Sequence, residues 1–212
     1  MARRTKEDAL ATRDRILDAA EQVFESQGVA RTSLQQIAAA AGVTRGAIYW
    51  HFKDKAELFN AMMRRTTLPL EEALQRATDR SSLRPLQDIR KNLLYTMSRV
   101  VNDPQMRRGF DIATQKIEYI NEMTAAKERH LQALGNKRRF IEGAIRRARA
   151  LGQVGANVTP KNTGLGLMAL MSGLLNIWML DPDQFNLQTV AAKSIDAFLA
   201  GLTREAPSPD ID

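Results

Sequence analysis

The sequence predicts an all-α protein, and three observations support that fold class. Ala, Leu, Arg, Gln, Glu, Lys and Met, all good helix formers, dominate the 212 residues. The 12 glycines and 7 prolines are few for this length, and they cluster between segments of helical periodicity. No sustained alternation of apolar and polar residues occurs, and no hairpin dipeptide of the Asn-Gly kind is found.

The first predicted helix covers residues 7–27. Its apolar side chains, among them Ile16, Leu17 and Phe24, recur at the spacing that places them on one face of a helix. Gly28 follows as a C-terminal stop, because glycine readily adopts the left-handed conformation that ends helices.

A short second helix is predicted for residues 33–41. Thr32 and Gln35 have the spacing of a capping box, in which the hydroxyl and the amide satisfy unpaired backbone N–H groups. Gly42 then ends this helix.

A third short helix is predicted for residues 45–51, with Thr44 as its N-cap. Asp54 and Glu57 open a fourth helix in the same way, and its apolar pattern continues past Met62.

Longer helices follow, with prolines at or near their boundaries, where proline is tolerated. Whether the fourth helix breaks at Pro69 or kinks through it remains open at this point. The later predicted helices are 70–79, 85–101, 104–120, 123–151, 161–180 and 187–202. We therefore expect about nine helices in the chain, with a three-helix domain at 1–65 that has a basic arm at about 1–8, a larger helical domain at 66–205, and a disordered tail at 206–212.

Composition excludes several classes of function. Without cysteine the chain forms no disulfide, thiolate metal site or cysteine nucleophile. His51 and His130 are too few and too distant for a zinc site, and no nucleophile or carboxylate is spaced around His51 for catalysis. We expect no metal, no cofactor and no catalytic residue. The net charge of +7 suits a polyanion but decides little alone.

The apolar segment 165–180 is the one candidate for a membrane span. It has 16 residues, contains polar and glycine positions, and falls short of the roughly 20 apolar residues that a spanning helix needs. We expect a buried helix, a cytoplasmic and nucleoid-associated protein, and no membrane partner.

The two short helices separated by a glycine turn predict a helix-turn-helix, whose second helix enters the major groove with its N-terminal residues. Here that helix begins with Thr44, which can bind a phosphate, and Arg45, which can reach a guanine edge or a phosphate. Gly46 and Ala47 are small enough for close approach to the bases. Aromatic side chains follow at 49–52.

The segment 32–58, TSLQQIAAAAGVTRGAIYWHFKDKAEL, closely resembles the DNA-binding domain of TetR-family repressors. Arg107-Arg108, Glu118 and Trp178, with the opening ARRTKEDALATRDRILDAAEQVF, resemble the AcrR-like subgroup that controls multidrug efflux pumps. The resemblance implies a homodimeric repressor that binds a palindromic operator of double-stranded DNA and is released by a small apolar or amphipathic effector.

The same resemblance implies which residues contact DNA. Thr44, Tyr49, His51 and Lys55 would bind phosphates, and Arg45 and Gly46 would face bases. The full implied set is Thr32, Ser33, Thr44, Arg45, Gly46, Ala47, Tyr49, Trp50, His51, Lys55, Arg3 and Arg4.

Some of these side chains have a second interpretation. Phe52 is predicted to be core, whereas the Tyr49 hydroxyl is predicted to lie near a phosphate. The basic arm around Arg3, Arg4 and Lys6 is equally well an ordinary solvated terminus.

The region after residue 65 resembles the family's effector and dimerisation region, and methionines with scattered polar groups are typical of promiscuous apolar pockets. The alternative is plain core packing. The predicted ligand-binding residues are Asn92, Leu93, Thr96, Phe110, Ala113, Thr114, Leu134, Ile141, Met168, Met171, Leu175 and Asn176.

The two last helices are predicted to form the dimer interface, with small residues such as Ala169 and Gly173 permitting close approach. The basic run that starts at Lys137 is interpreted as a solvated helix face rather than a second anion site. The alternatives that stay open are a regulator of other metabolic genes with a different effector or none, an architectural DNA-binding protein, and an enzyme using the C-terminal region.

Overall fold

The structure is a computed structural model, and it describes residues 6–77, 81–119 and 121–203. Its described residues form nine α-helices and one short 3₁₀ helix, without a strand. The α-helices are α1 Lys6–Gln27, α2 Leu34–Ala40, α3 Arg45–His51, α4 Lys55–Ala77, α5 Pro85–Asn102, α6 Pro104–Gln115, α7 Thr124–Ala150, α8 Pro160–Leu180 and α9 Leu187–Leu202. The all-α prediction is confirmed.

Two compact units divide these helices. Unit 1 comprises the described parts of Met1–Leu68 and Asp103–Gln132, and unit 2 comprises those of Pro69–Asn102 and Ala133–Asp212. The sequence prediction divided the chain once, at residue 65. The structure instead returns α6 and the start of α7 to the N-terminal unit.

Unit 1 has one apolar core. Ile16 and Phe24 of α1, Ile37 of α2, Ile48 of α3 and Met62 of α4 are all fully buried in it. These side chains recur at helical spacing, so each helix buries one face and leaves the opposite face to solvent. Ile112 of α6 joins the same core, which explains why α6 belongs to unit 1.

Unit 2 is built from α5, α8, α9 and parts of α4 and α7. Ile89 and Leu93 of α5 and Ile195 of α9 are fully buried. A bidentate ion pair joins the Arg90 guanidinium to the Asp196 carboxylate, with 2.9 Å between Nη2 and Oδ2. Exposed pairs of this kind contribute little because water screens them, so apolar burial carries most of the α5–α9 contact.

Helix α4 runs without interruption through Pro69 to Ala77. Two predicted helices are therefore one, and the question left open at Pro69 is answered by a continuous helix. Proline removes one intrahelical hydrogen bond, and neighbouring packing can compensate for that loss.

Helix α6 ends at Gln115, five residues before the predicted end. Lys116 is its C-cap, and the Lys116 carbonyl accepts a hydrogen bond of 2.9 Å from the backbone N–H of Val29. This bond joins the end of α6 to the loop after α1.

Candidate nucleic-acid interface and effector region

The segment from α2 to α3 forms a helix-turn-helix whose turn is fixed by glycine. Gly42 has a φ of +63°, and the N–H of Val43 bonds the carbonyl of Ala38 at 3.0 Å. This is the hydrogen-bond pattern of a Schellman motif, which ends a helix cleanly at a left-handed residue. A substitution at Gly42 would therefore strain the turn that orients α3.

The caps of both short helices come from side chains. The Thr44 hydroxyl accepts from the Ala47 N–H at 3.2 Å, which confirms Thr44 as the N-cap of α3. The predicted capping box at α2 is corrected by one residue: Ser33 is the N-cap, and its partner is Gln36 rather than Gln35.

Helix α3 is attached to the core by Ile48, its one buried residue among seven. Arg45, Gly46, Tyr49 and Trp50 are exposed on the remaining surface, with Trp50 at 74% and Tyr49 at 48%. A helix held from behind by a single apolar side chain presents most of its circumference outward, as a groove-reading helix must.

Two features of this exposed face suit contact with DNA: the orientation of the Arg45 side chain and the open space at Gly46. The Arg45 guanidinium lies 5.7 Å from the centre of the Tyr49 ring, within the range of a cation–π interaction that orients a flexible cation. A Cβ added at Gly46 would meet only Thr44 Oγ1, at 3.9 Å. Packing within the chain therefore does not require glycine at this position, whereas close approach of a bound surface would favour it.

Lys55 is a correction to the predicted phosphate contacts. Its side chain is buried, at 8% exposure, and Nζ donates to the carbonyls of Val29 at 2.9 Å and Thr32 at 2.8 Å. Glu122 accepts at 2.7 Å as an ion pair. Because these groups occupy the ammonium, the Lys55 side chain binds the protein itself and not a phosphate.

Thr32 is corrected for a similar reason. Its side chain is buried, and its hydroxyl donates to the Gly28 carbonyl at 2.7 Å. The Ser33 hydroxyl is exposed but engaged with Gln36 in the capping box.

The remaining predicted DNA residues have varied surroundings. Ala47 and His51 are half-buried, and the His51 ring meets the Trp50 ring edge-on with centroids 4.5 Å apart. Phe52 is buried, which confirms that it is a core residue. Arg3 and Arg4 lie outside the described residues.

Glu21 is a buried carboxylate in unit 1 that the sequence prediction missed. It accepts from Arg65 Nη2 of α4 at 3.0 Å and from Arg108 Nε of α6 at 3.2 Å. Leu17 and Phe24 lie four residues before and three after it on the buried face of α1. That placement of an acid on an apolar face was the signal in the sequence.

The predicted ligand-binding residues are divided between the units. Asn92, Leu93 and Thr96 lie on the buried face of α5, and Ile141 of α7 is also buried. Met171 and Leu175 are buried on α8, Met168 is half-buried, and Leu134 is exposed at 37%. All eight of these residues lie in unit 2.

The other four predicted ligand-binding residues do not lie in the interior of unit 2. Phe110, Ala113 and Thr114 are on α6 in unit 1, and Thr114 is exposed. Asn176 is exposed on the side of α8 away from its buried residues, so its prediction as an interior residue is corrected. A helix places residues 171 and 176 about 140° apart, so both cannot face one interior.

Lys137 of α7 is half-buried beside this face of α5, and the sequence prediction had assigned it to solvent. Its Nζ donates to the Thr96 hydroxyl at 3.4 Å. Burial lowers the pKa of Lys137 to about 8, because an ammonium is poorly solvated there. Ile141, Ala144 and Ala148, at helical spacing from it, are buried, and that spacing was the overlooked signal.

Helix α8 has one buried and one exposed apolar face. Leu165, Ile177 and Leu180 are exposed at 60%, 51% and 74%. Within the described residues this is the one helix long and apolar enough to cross a membrane, and 33% of its apolar stretch is buried. Two glycines of the same helix, Gly164 and Gly166, lie against Glu142 of α7 and Phe198 of α9.

A capped recognition helix projecting from a helical core defines a DNA-binding regulator of the helix-turn-helix class. Comparison with known families agrees: residues 16–62 match the bacterial regulatory proteins of the tetR family, and residues 84–203 match the C-terminal region of MAATS-type transcriptional repressors. The chain belongs to the TetR family of transcriptional repressors, which are regulators and not enzymes.

Several relatives resemble nearly the whole chain. The probable regulator ArpR of Pseudomonas putida is 36% identical over 199 residues, covering 94% of this chain and 95% of its own. The structure of NalD, the secondary repressor of the MexAB-OprM multidrug efflux pump in Pseudomonas aeruginosa, has a TM-score of 0.85 at 36% identity and covers 94% of this chain and 100% of its own.

A third relative was solved with a small molecule. SmeT, the repressor of the Stenotrophomonas maltophilia multidrug efflux pump SmeDEF, is 32% identical in its triclosan complex, with a TM-score of 0.81 over 95% of this chain and 98% of its own. The chain is therefore close to regulators of efflux pumps.

Proposed function

We propose that this protein is a ligand-responsive repressor that binds a palindromic operator as a dimer and controls a multidrug efflux operon. The exposed outer face of α3, with Arg45 and Tyr49 above a buried Ile48, is the observation that carries the DNA-binding part. Its action on DNA implies a cytoplasmic, nucleoid-associated protein.

The Arg45→Ala variant tests the reading of the operator. Loss of one base contact costs about 1–3 kcal/mol per half-site, so we expect at least a 10-fold rise in Kd for specific DNA. A gel-shift titration on the intergenic DNA beside a divergent neighbouring gene measures it. Arg149→Ala, an exposed arginine near the end of α7, is the control. Undiminished binding by Arg45→Ala, with unchanged circular dichroism, would contradict the assignment.

Dimerisation through α8 is supported by its exposed apolar face. Leu165 and Leu180 would be buried by a second copy, as the two-fold symmetry of a palindromic site requires. Ala169→Arg puts a charge in the middle of this face, and we expect monomers in analytical ultracentrifugation. Ala150→Arg, an exposed alanine at the end of α7, should remain dimeric.

We infer that an apolar or amphipathic compound binds in unit 2 and weakens operator binding. The buried apolar residues of α5, α7 and α8 support this, as does a relative solved with triclosan. Ligand and DNA would each favour a different spacing of the two recognition helices, so that binding of one weakens the other by linkage.

Titration of efflux-pump substrates, triclosan among them, tests the effector. Trp178 is buried in unit 2 and should report binding by a change in fluorescence. Footprinting with and without the same compounds should show release. If a compound binds but leaves operator affinity unchanged, the linkage is wrong for that compound. If none binds, the second candidate gains: a regulator of other metabolic genes with a different effector or none.

A further inference from the structure

A polar cluster lies on otherwise apolar faces of unit 2. Asn92 and Thr96 are one turn apart on the buried face of α5, and Lys137 of α7 reaches Thr96. Leu93, next to Asn92, and Ile141, one turn after Lys137, are fully buried. We call Asn92, Thr96 and Lys137 the polar cluster.

The ammonium of Lys137 is poorly satisfied. Its three protons have one hydrogen-bond acceptor among the described residues, the Thr96 hydroxyl, at the long distance of 3.4 Å. No carboxylate in the described ranges lies within ion-pair distance of it. An ammonium removed from water costs free energy unless it is paired and hydrogen-bonded, so this arrangement is unfavourable for the protein alone.

The sequence around the cluster supplies no acid to pair with it. At helical spacing along α7, Lys137 meets Ala133, Leu134, Phe140 and Ile141. On α5 the nearest acid is Asp88, one turn before Asn92 and two turns before Thr96, which is about 12 Å along the axis from the residue that Lys137 contacts.

The other charges of unit 2 contrast with Lys137. Arg90 is paired with Asp196, and Arg138 and Arg146 share Glu142. These three arginines have carboxylate partners, whereas Lys137 has none among the described residues. A part-exposed Lys137 also remains accessible to a bound molecule.

We propose that the polar cluster binds the anionic group of an aromatic amphiphile, with Lys137 as the ion-pair partner and Thr96 and Asn92 as neutral hydrogen-bonding groups. The apolar body of the ligand lies against the neighbouring apolar faces of α5 and α7. This rests on the proposed effector function and names the charge of the effector. The lowered pKa of Lys137 agrees with a cation that lacks its anion.

Two fluorescent probes with one skeleton test the proposal. 8-Anilinonaphthalene-1-sulfonate carries a sulfonate, and N-phenyl-1-naphthylamine is the same ring system without it. A charge-assisted hydrogen bond contributes about 1.5–3 kcal/mol, which corresponds to roughly 10- to 100-fold in Kd. We expect Lys137→Met to weaken the sulfonate probe by at least that lower factor at pH 7 and to change the neutral probe less than twofold.

Three further variants make the result specific. Lys127→Met is the same substitution at an exposed position of α7, and both probes should bind it as they bind the native chain. Lys137→Arg keeps the charge and should retain most of the affinity for the sulfonate. Thr96→Val should weaken the sulfonate probe less than Lys137→Met does. Circular dichroism and thermal unfolding confirm that each variant is folded.

The outcomes separate this inference from the effector function. If both probes bind and Lys137→Met weakens neither, or both equally, the charge assignment is overturned while an apolar effector site stands. If Lys127→Met also loses the sulfonate probe, the binding is to surface charge and the assignment is overturned as well. If neither probe binds the native protein, the polar cluster's role is contradicted, while the effector function is still decided by the titration of efflux-pump substrates.

Discussion

Two lysines in this chain lose most of their water on folding, and their surroundings are opposite. Lys55 in unit 1 is surrounded by three backbone carbonyls and the Glu122 carboxylate, with contacts as short as 2.7 Å. Lys137 in unit 2 has the Thr96 hydroxyl at 3.4 Å. The same side chain is therefore fully compensated in one unit and barely compensated in the other.

The difference agrees with the roles that we propose for the two units. The buried Glu21 of unit 1 is compensated like Lys55, by Arg65 and Arg108. Buried charges with all their partners fix the relative positions of helices, and in unit 1 these are the helices that support α3. A charge that is withdrawn from water without a partner in the chain lacks the hydrogen bonds and counter-ion that would compensate it. Such groups are frequent at binding sites, where a ligand supplies the partner.

Lys55→Met should produce the largest loss of stability. It removes the donor to the Thr32 carbonyl and leaves the Val29 carbonyl with only the longer bond from the Thr32 N–H, at 3.3 Å, and each buried unsatisfied group costs about 1–3 kcal/mol. We expect a loss of about 3–4 kcal/mol in the free energy of unfolding, measured by urea titration. Lys53→Met, an exposed lysine two residues earlier, should change it by less than about 0.5 kcal/mol. Equal effects from the two variants would mean that the Lys55 contacts are incidental.

Glu21→Gln should have the next largest effect. The amide keeps the shape but removes the charge that Arg65 and Arg108 share, and its NH₂ group faces a donor. We expect a loss of about 2–3 kcal/mol, because removal of one partner of a buried pair leaves the others uncompensated. Glu25→Gln, one turn later on α1 and exposed, is the control. Its midpoint of urea unfolding should equal that of the native protein.

Gly109→Ala tests the closeness of α6 to α4. A Cβ at Gly109 would lie 2.4 Å from the Thr66 Cγ2 atom, a steric clash. We expect a loss of about 1–2 kcal/mol, and Thr66→Ala should restore part of it because it removes the atoms in the way. Gly143→Ala, where a Cβ meets nothing within 4 Å, should instead stabilise the protein by up to about 1 kcal/mol.

The helices could largely be predicted from the sequence, whereas the two lysines could not. Helix periodicity, glycine stops and caps are local signals, and they suffice for α1, α2 and α3. Just after α6 ends at Gln115, the Lys116 carbonyl accepts a bond from the Val29 N–H, nearly 90 residues earlier in the sequence, and no local pattern contains that contact.

In the candidate site, too, some residues could be predicted from local sequence and others could not. The exposure of Arg45 and Tyr49 follows from the motif, because Ile48 alone carries the apolar face of α3. Lys55 stands at a helix start, where a phosphate contact is the local expectation. Only the folded loop after α1 brings carbonyls to its ammonium. Lys137 lies in a run of basic residues, which predicts an exposed side chain. Its helical spacing to the buried Ile141 predicts the opposite, and the basic run outweighed that signal.

The smallest and most diagnostic prediction is that Lys137→Met stabilises the free protein. The folded pKa of about 8 lies below the ordinary value of 10.5, so at pH 7 the folded chain carries a charge that burial disfavours. Methionine keeps the apolar stem without that charge. Because Lys137 is only half-buried, we expect a gain of about 1 kcal/mol at pH 7, less than complete desolvation would give.

The pH dependence gives this prediction its sign. Between about pH 8 and pH 10.5 the unfolded chain still binds the Lys137 proton while the folded chain has released it, so the stability of the native protein rises with pH relative to Lys137→Met. The gain at pH 7 should therefore shrink towards zero at pH 10 in paired urea titrations, and Lys127→Met should show no such trend. A Lys137→Met variant that is less stable at pH 7 would mean that the ammonium holds unit 2 together as Lys55 holds unit 1, and the contrast between the two lysines would fail.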